Sequence, residues 1–227
     1  MTHQTINPLI AVDKLKASYI RYLKTAFPIQ DHHIRNEFWK ALASQGTLVK
    51  GPLLEATSEF MKGPSIEGMV SQGVLNESFQ SLCNPALPYK RPLYLHQAQA
   101  IEKSVLHQRN LVISTGTGSG KTETFLIPIL NELLNEEMSG ALVEPGVRAL
   151  LLYPMNALAN DQIKRLRKVL ANYPSIKFGR FIGETQHTTN KAVEQFRDQF
   201  PGQELLPNEL ISREQMRKDP PHILLTN

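Results

Sequence analysis

The 227 residues carry a hydrophobic share of 41%, a charged share of 20% and a net charge of +4, the balance of a globular chain long enough to bury a core. The lone cysteine, Cys83, excludes an internal disulfide, and without a C-x-x-C pair there are no ligands for a zinc ribbon. The first residues lack the order of a signal peptide and no apolar run has the length of a membrane span, so a cytoplasmic protein with no membrane partner is expected; a pI near 9.1 is compatible with nucleic acid but does not require it.

Residues 8–27 read as a helix, with Leu9, Val12, Leu15, Tyr19, Ile20 and Leu23 at three- and four-residue spacing and Pro28 as the stop. Asp31 can cap a second helix, whose apolar face is Ile34, Phe38, Trp39 and Leu42 and which Gly46 ends. The two helices are expected to pack on each other or on the next domain, or to bind a protein partner. His32 and His33 are adjacent and diverge on a helix, so no metal site is expected there. Glycines and prolines break residues 45–93 repeatedly, with Leu48–Val49 and residues 65–70 as short strand or helix candidates. Leu53, Leu54, Phe60, Met61, Met69 and Val70 make this connector too apolar for a disordered linker. Residues 1–90 are therefore read as one region and 91–227 as the main domain.

From residue 94 the pattern alternates. Helices are expected at 94–106, 122–137 (with Pro128 inside) and 156–172, and strands at 111–114, 147–153, 176–182 and 222–226. One or two polar helices are expected in 189–218. Such alternation predicts an α/β fold, a parallel sheet with helices on both faces, and ligands at the carboxyl ends of the strands.

Thr115 to Thr122 lies between the strand Leu111–Ser114 and a helix. Gly116, Gly118 and Gly120 let the backbone curl so that N–H groups face a phosphate, Lys121 would reach the outer phosphates, and the Thr122 hydroxyl would hold Mg²⁺. The strict pattern asks for Gly where Thr115 stands, so a bland glycine turn remains the alternative. The stretch Leu152–Gln162 closes one strand and opens a helix that Asn156 can cap; its free N–H groups suit a nucleic-acid phosphate. Lys164, Arg165, Arg167 and Lys168 on that helix form either a phosphate-facing patch or a solvated face.

Several motifs then carry a resemblance. Pro154, Ala157, Leu158, Ala159, Asp161 and Gln162 resemble motif Ia of superfamily 2 helicases, and Thr115–Thr122 resembles motif I, whose loop often lacks the first glycine. Tyr94, Leu95, His96 and Gln97 are similar to the upstream glutamine motif, Phe181–Thr185 to the Gly-containing motif on the nucleic-acid track, and Ile223–Asn227 to motif Ic. The match covers residues 93–227 and is best to the DEAD/DEAH-like branch that includes large bacterial repair and antiphage-defence helicases.

The resemblance implies a P-loop (RecA-like) fold, ATP and Mg²⁺ as cofactors, and nucleic acid, DNA before RNA, as partner. It implies nucleotide contacts at Tyr94, Gln97, Thr117, Gly118, Ser119, Gly120, Lys121, Thr122 and Glu123, with Lys121 and Thr122 catalytic and Thr122 on the metal. Tyr94 either stacks on the adenine or packs under the loop. Nucleic-acid contacts are implied at Pro154, Asn156, Ala157, Gly183 and Thr226. Met155 and Asn156 replace the family's usual Thr and basic residue, which makes contact there less charge-driven. The motor's acidic pair and second domain are not found by Asn227. The chain thus reads as the amino-terminal part of a larger helicase, its sheet truncated and its own turnover negligible. Other readings are a different P-loop NTPase or a scaffold without catalysis.

Overall fold

The computed structural model describes residues 7–44, 46–48, 50, 58–116 and 118–227. The strand or helix candidate at Leu48–Val49, the apolar Leu53 and Leu54, and the nucleotide contact at Thr117 fall wholly or partly outside these residues. The chain divides into two compact units, Met1–Glu59 and Phe60–Asn227. The division lies well before residue 90 because most of the expected connector belongs to the second unit's core.

In the first unit, α1 (Pro8–Ala26) starts at Asn7, whose side chain accepts from the Leu9 and Ile10 amides. Helix α2 (His32–Ala43) is capped by Asp31, which accepts from the His33 and Ile34 amides at 2.9 Å. Both caps satisfy first-turn donors that have no partner inside the helix. Neither helix buries a residue. Lys24 lies over the Trp39 ring at 5.6 Å, and Lys16 donates to the Ala43 carbonyl at 3.5 Å.

The second unit opens with β1 (Lys62–Ser65), α3 (Ile66–Ser71) and the single turn α4 (Phe79–Leu82). Strand β2 (Pro92–Tyr94) pairs antiparallel with β1 and leads into α5 (Leu95–Val105). Helix α6 (Lys121–Ser139) follows the glycine loop and continues through Pro128. After it come β3 (Ala149–Leu152), α7 (Asn156–Leu170), β4 (Phe178–Arg180) and α8 (Thr189–Gln199). Strand β5 (Glu209–Leu210), α9 (Arg213–Lys218) and β6 (Ile223–Thr226) complete the unit.

Strands β3, β6, β4 and β5 lie in that order, all parallel, as the α/β alternation predicts. Ile66, Met69, Phe79, Leu82 and Leu87 join Leu126, Leu130, Phe178, Ile223 and Leu225 in one hydrophobic core. Cys83 packs partly buried against it, and burial pushes its thiol up to about 12.

Two expectations are corrected here. Leu111–Ser114 forms no strand: Val112 is 99% exposed, and Leu111 and Ile113 line a cavity of about 480 Å³ with Lys121, Thr124 and Phe125. An apolar run becomes a strand only when a neighbour takes up its backbone donors and acceptors. Among the described residues none does; the outer edge of β3 carries no ladder, and Leu150 and Leu152 are exposed. The second concerns α7: helical spacing predicts Leu158 inward with Ile163, Leu166 and Leu170, yet Leu158 is exposed while Ala159, Ile163, Leu166, Val169 and Leu170 face the core.

Candidate nucleotide and nucleic-acid site

The loop before α6 is shaped by Gly118 and Gly120, at φ of +75° and +72°, a region other residues enter at a cost. Gly120 has a second constraint, because a Cβ there would run into the Gln97 side-chain amide. Thr115, where a strict loop has glycine, hydrogen-bonds its hydroxyl to that of Ser119 across the turn. The Lys121 ammonium donates to the Thr115 carbonyl at 2.6 Å and to the Gly116 carbonyl at 2.7 Å. Thr122 is half-buried in the first turn of α6, beside the unpaired N–H groups of the helix start.

Beneath the loop, Gln97 is buried and uses both ends of its amide. Its Oε1 accepts from the Tyr94 amide at 2.7 Å and its Nε2 donates to the Gly120 carbonyl at 2.7 Å. Tyr94 stacks on His96 at 5.8 Å, with Phe60 against both rings at 5.2 and 5.6 Å. The His96 Nε2 lies 3.1 Å from the Ser119 carbonyl, so this aromatic trio adjoins the loop. The sequence reading gave His96 a place in the glutamine motif but no contact, and gave Phe60 no site role: Phe60 sits 34 residues before Tyr94 in an irregular stretch, and the pairing of β1 with β2 brings it there.

Glu123 is almost fully buried, and its Oε1 accepts from two guanidiniums. Arg91 lies at 3.2 Å and Arg165 of α7 at 2.7 Å. Its Oε2 is buried without a partner among the described residues and lies on the side of Gly120.

The second cluster sits where β3, β4 and β6 end. Their parallel register places Pro154–Ala157, Phe181–Thr185 and Thr226–Asn227 on one rim. Asn156 joins all three. It donates to Glu184 Oε1 at 3.0 Å, and its Oδ1 accepts from Asn227 at 2.7 Å. Asn156 is therefore not the helix cap expected of it; Met155 is the cap residue, and the Asn156 amide is turned to the neighbouring loops instead. Thr226 donates to the Phe181 carbonyl at 2.7 Å. Pro154, Ala157 and Gly183 are exposed, and a side chain at Gly183 would meet nothing within 4 Å.

Arg213 holds the Gly183 turn from below. It donates to the carbonyls of Thr185, Ile182 and Gly183 at 3.0–3.1 Å, and its guanidinium lies 5.0 Å from the Phe181 ring centre. Glu184 and Asn227 stand inside motifs already recognised, whereas Arg213 carries no sequence signal beyond the Ser212–Gln215 capping box beside it.

The four cations of α7 are not one patch. Arg165 is bound to Glu123, and Arg167 is buried against Glu209 and the Glu204 carbonyl with Phe196 over it. Only Lys164 and Lys168 are exposed. The 3.6-residue turn forces consecutive residues onto different faces.

Residues 94–202 match the family of DEAD/DEAH box helicases. The Druantia protein DruE of Escherichia coli (strain UMEA 4076-1) is 35% identical over 191 residues, 78% of this chain and 10% of that protein. The ATP-dependent RNA helicase DBP7 of Meyerozyma guilliermondii is 32% identical over 118 residues, 52% of this chain and 16% of that protein. The chain thus spans a small part of the length of either relative. A crystal structure of the DUF1998 helicase MrfA bound to DNA and AMPPNP aligns with a TM-score of 0.49 at 24% identity, covering 75% of this chain and 18% of that one. The glycine loop and the ends of β3 and β4 lie within residues 94–202, the segment that is similar to the DEAD/DEAH box helicases.

Proposed function

We propose that this chain supplies the ATP-binding part of an ATP-dependent helicase or translocase that acts on DNA, in bacterial defence or repair and in the cytoplasm. The observation that carries the reading is the loop geometry. Two left-handed glycines, an ammonium and a hydroxyl converge at the start of α6, in a segment that matches a helicase family. These residues fit a nucleotide triphosphate. The backbone N–H groups of Gly118–Lys121 and the helix start favour negative charge. A phosphate would compete with the Thr115 and Gly116 carbonyls for Lys121. Thr122 would hold Mg²⁺, which offsets charge on the outer phosphates. The Tyr94 and His96 rings, 17° from parallel with Phe60 tilted against both, offer an aromatic contact for adenine.

The rim of Pro154, Asn156, Ala157, Gly183 and Thr226 is the proposed track for the strand. Its contacts are amide, hydroxyl and backbone rather than cationic, which predicts a shallow dependence of affinity on salt. The preference for DNA follows the resemblance to bacterial repair and defence helicases; a relative such as DBP7 favours RNA as the second reading. The exposed apolar residues of α1 and α2 make that region the proposed contact for a protein partner.

Titration of residues 1–227 with a fluorescent ATP analogue and Mg²⁺ tests the reading. Lys121→Ala should weaken binding at least about tenfold, the loss of one charge-assisted contact, with no change in melting temperature. Unchanged affinity in that variant would overturn it. Parallel titration with single-stranded DNA and RNA of one sequence decides the strand class.

A further inference from the structure

The buried carboxylate of Glu123 lies beside the loop and bonds the helix that starts at the rim. It stands in the first turn of α6, two residues after Lys121, and its Oε2 lies against Gly120 of the loop. Its Oε1 takes Arg165 from α7. Helix α7 is unbroken from Asn156 to Leu170. Nine residues separate Asn156 from Arg165, about 13 Å along a rigid axis. Asn156 in turn holds Glu184 and Asn227 on the rim. A path therefore runs from the loop through Glu123, its bond to Arg165 and helix α7 to the rim.

We propose that Glu123 is a positioning residue that, through Arg165, couples occupancy of the nucleotide loop to the grip of the rim on nucleic acid. The inference rests on the function proposed above. A phosphate that draws Lys121 away from the Thr115 and Gly116 carbonyls must shift the loop, and Gly120 cannot move without changing the surroundings of the Glu123 carboxylate. A carboxylate this buried keeps its guanidinium partner rather than release it, so the shift passes to α7. Arg91 is half exposed and belongs to the segment leading into β2, so it neutralises the carboxylate without reaching the rim.

Coupling is a ratio of affinities and is the same read from either site. The test measures affinity of residues 1–227 for fluorescein-labelled oligodeoxythymidine with and without AMPPNP and Mg²⁺, and affinity for the nucleotide with and without the oligonucleotide. The wild type should show at least about fivefold coupling. Glu123→Gln and Arg165→Gln should each bring it to about onefold, with no further loss in the double variant. Arg165→Gln should leave each ligand's separate affinity within about twofold, while Arg165→Lys and Arg91→Gln should retain the coupling. Persistence of coupling in Arg165→Gln would overturn the inference, as would its loss in Arg91→Gln to the same degree, which marks a merely structural cluster. Wild-type protein that binds both ligands with no coupling overturns this inference alone. Wild-type protein that binds neither overturns the proposed function and the inference with it.

Discussion

Helices α1 and α6 are each 19 residues long, and both repeat apolar residues at helical spacing. Helix α6 buries Leu126, Ile127, Leu130, Leu133 and Leu134 completely or nearly so, whereas α1 buries nothing and leaves Leu15 70% exposed. The difference shows that periodicity states what a helix can bury, not what is there to bury it. Helix α6 meets α5, the 3-10 turn after it and the residues of α3 and α4. Among the described residues of the first unit, Lys24 over Trp39 and a long Lys16 bond join the helices. Stability should therefore be concentrated in Phe60–Asn227.

Substitutions ranked by effect sharpen that contrast. Phe178→Ala empties a fully buried position on a central strand and should destabilise the second unit by about 4 kcal/mol in urea unfolding. Arg167→Gln leaves Glu209 and the Glu204 carbonyl without their buried partner and should cost about 3 kcal/mol.

Glu209 also makes stability depend on pH. Burial pushes its carboxyl up to about 7 from 4.5, against the pull of Arg167 and Arg180. Between those values the folded state keeps a proton that the unfolded chain has released, so this group's contribution falls as pH rises from 4.5 and is gone above 7. Glu209→Gln should flatten that slope, by about 2 kcal/mol across the window, in melting curves recorded from pH 5 to 8. Leu15→Gln in α1 should change the melting of the second unit by less than about 0.5 kcal/mol. A larger loss there would break the contrast, since it would mean that α1 is buried against a partner in solution.

Much of the architecture was legible because its signals are local. Asp31 caps α2 as its side chain requires, Gly118 and Gly120 take the backbone angles that suit glycine, and the βα alternation after residue 147 yields parallel strands. The boundary near residue 90 was less legible. Gly63, Pro64, Pro85 and Pro88 signal breaks truthfully, yet they punctuate short elements that share the core of α6. The strand expected at Leu111–Ser114 shows the converse: its residues have the composition of a buried strand, and no described neighbour completes it.

The sequence by itself determined the turn before α6, since Gly118, Gly120, Lys121 and Thr122 lie in one continuous stretch. It also determined that Pro154–Ala157 and Phe181–Thr185 end strands, because alternation is local. Only the tertiary structure decided what Asn156, Glu123 and Arg165 do. An asparagine before an apolar run reads as a cap, and an arginine in a basic run reads as surface. Asn156 instead bonds loops 28 and 71 residues away, and Arg165 bonds a carboxylate 42 residues away. Such pairs carry no periodicity or spacing; they exist because a parallel sheet brings the ends of distant strands to one edge, and because a buried carboxylate must find a cation from wherever the fold presents one.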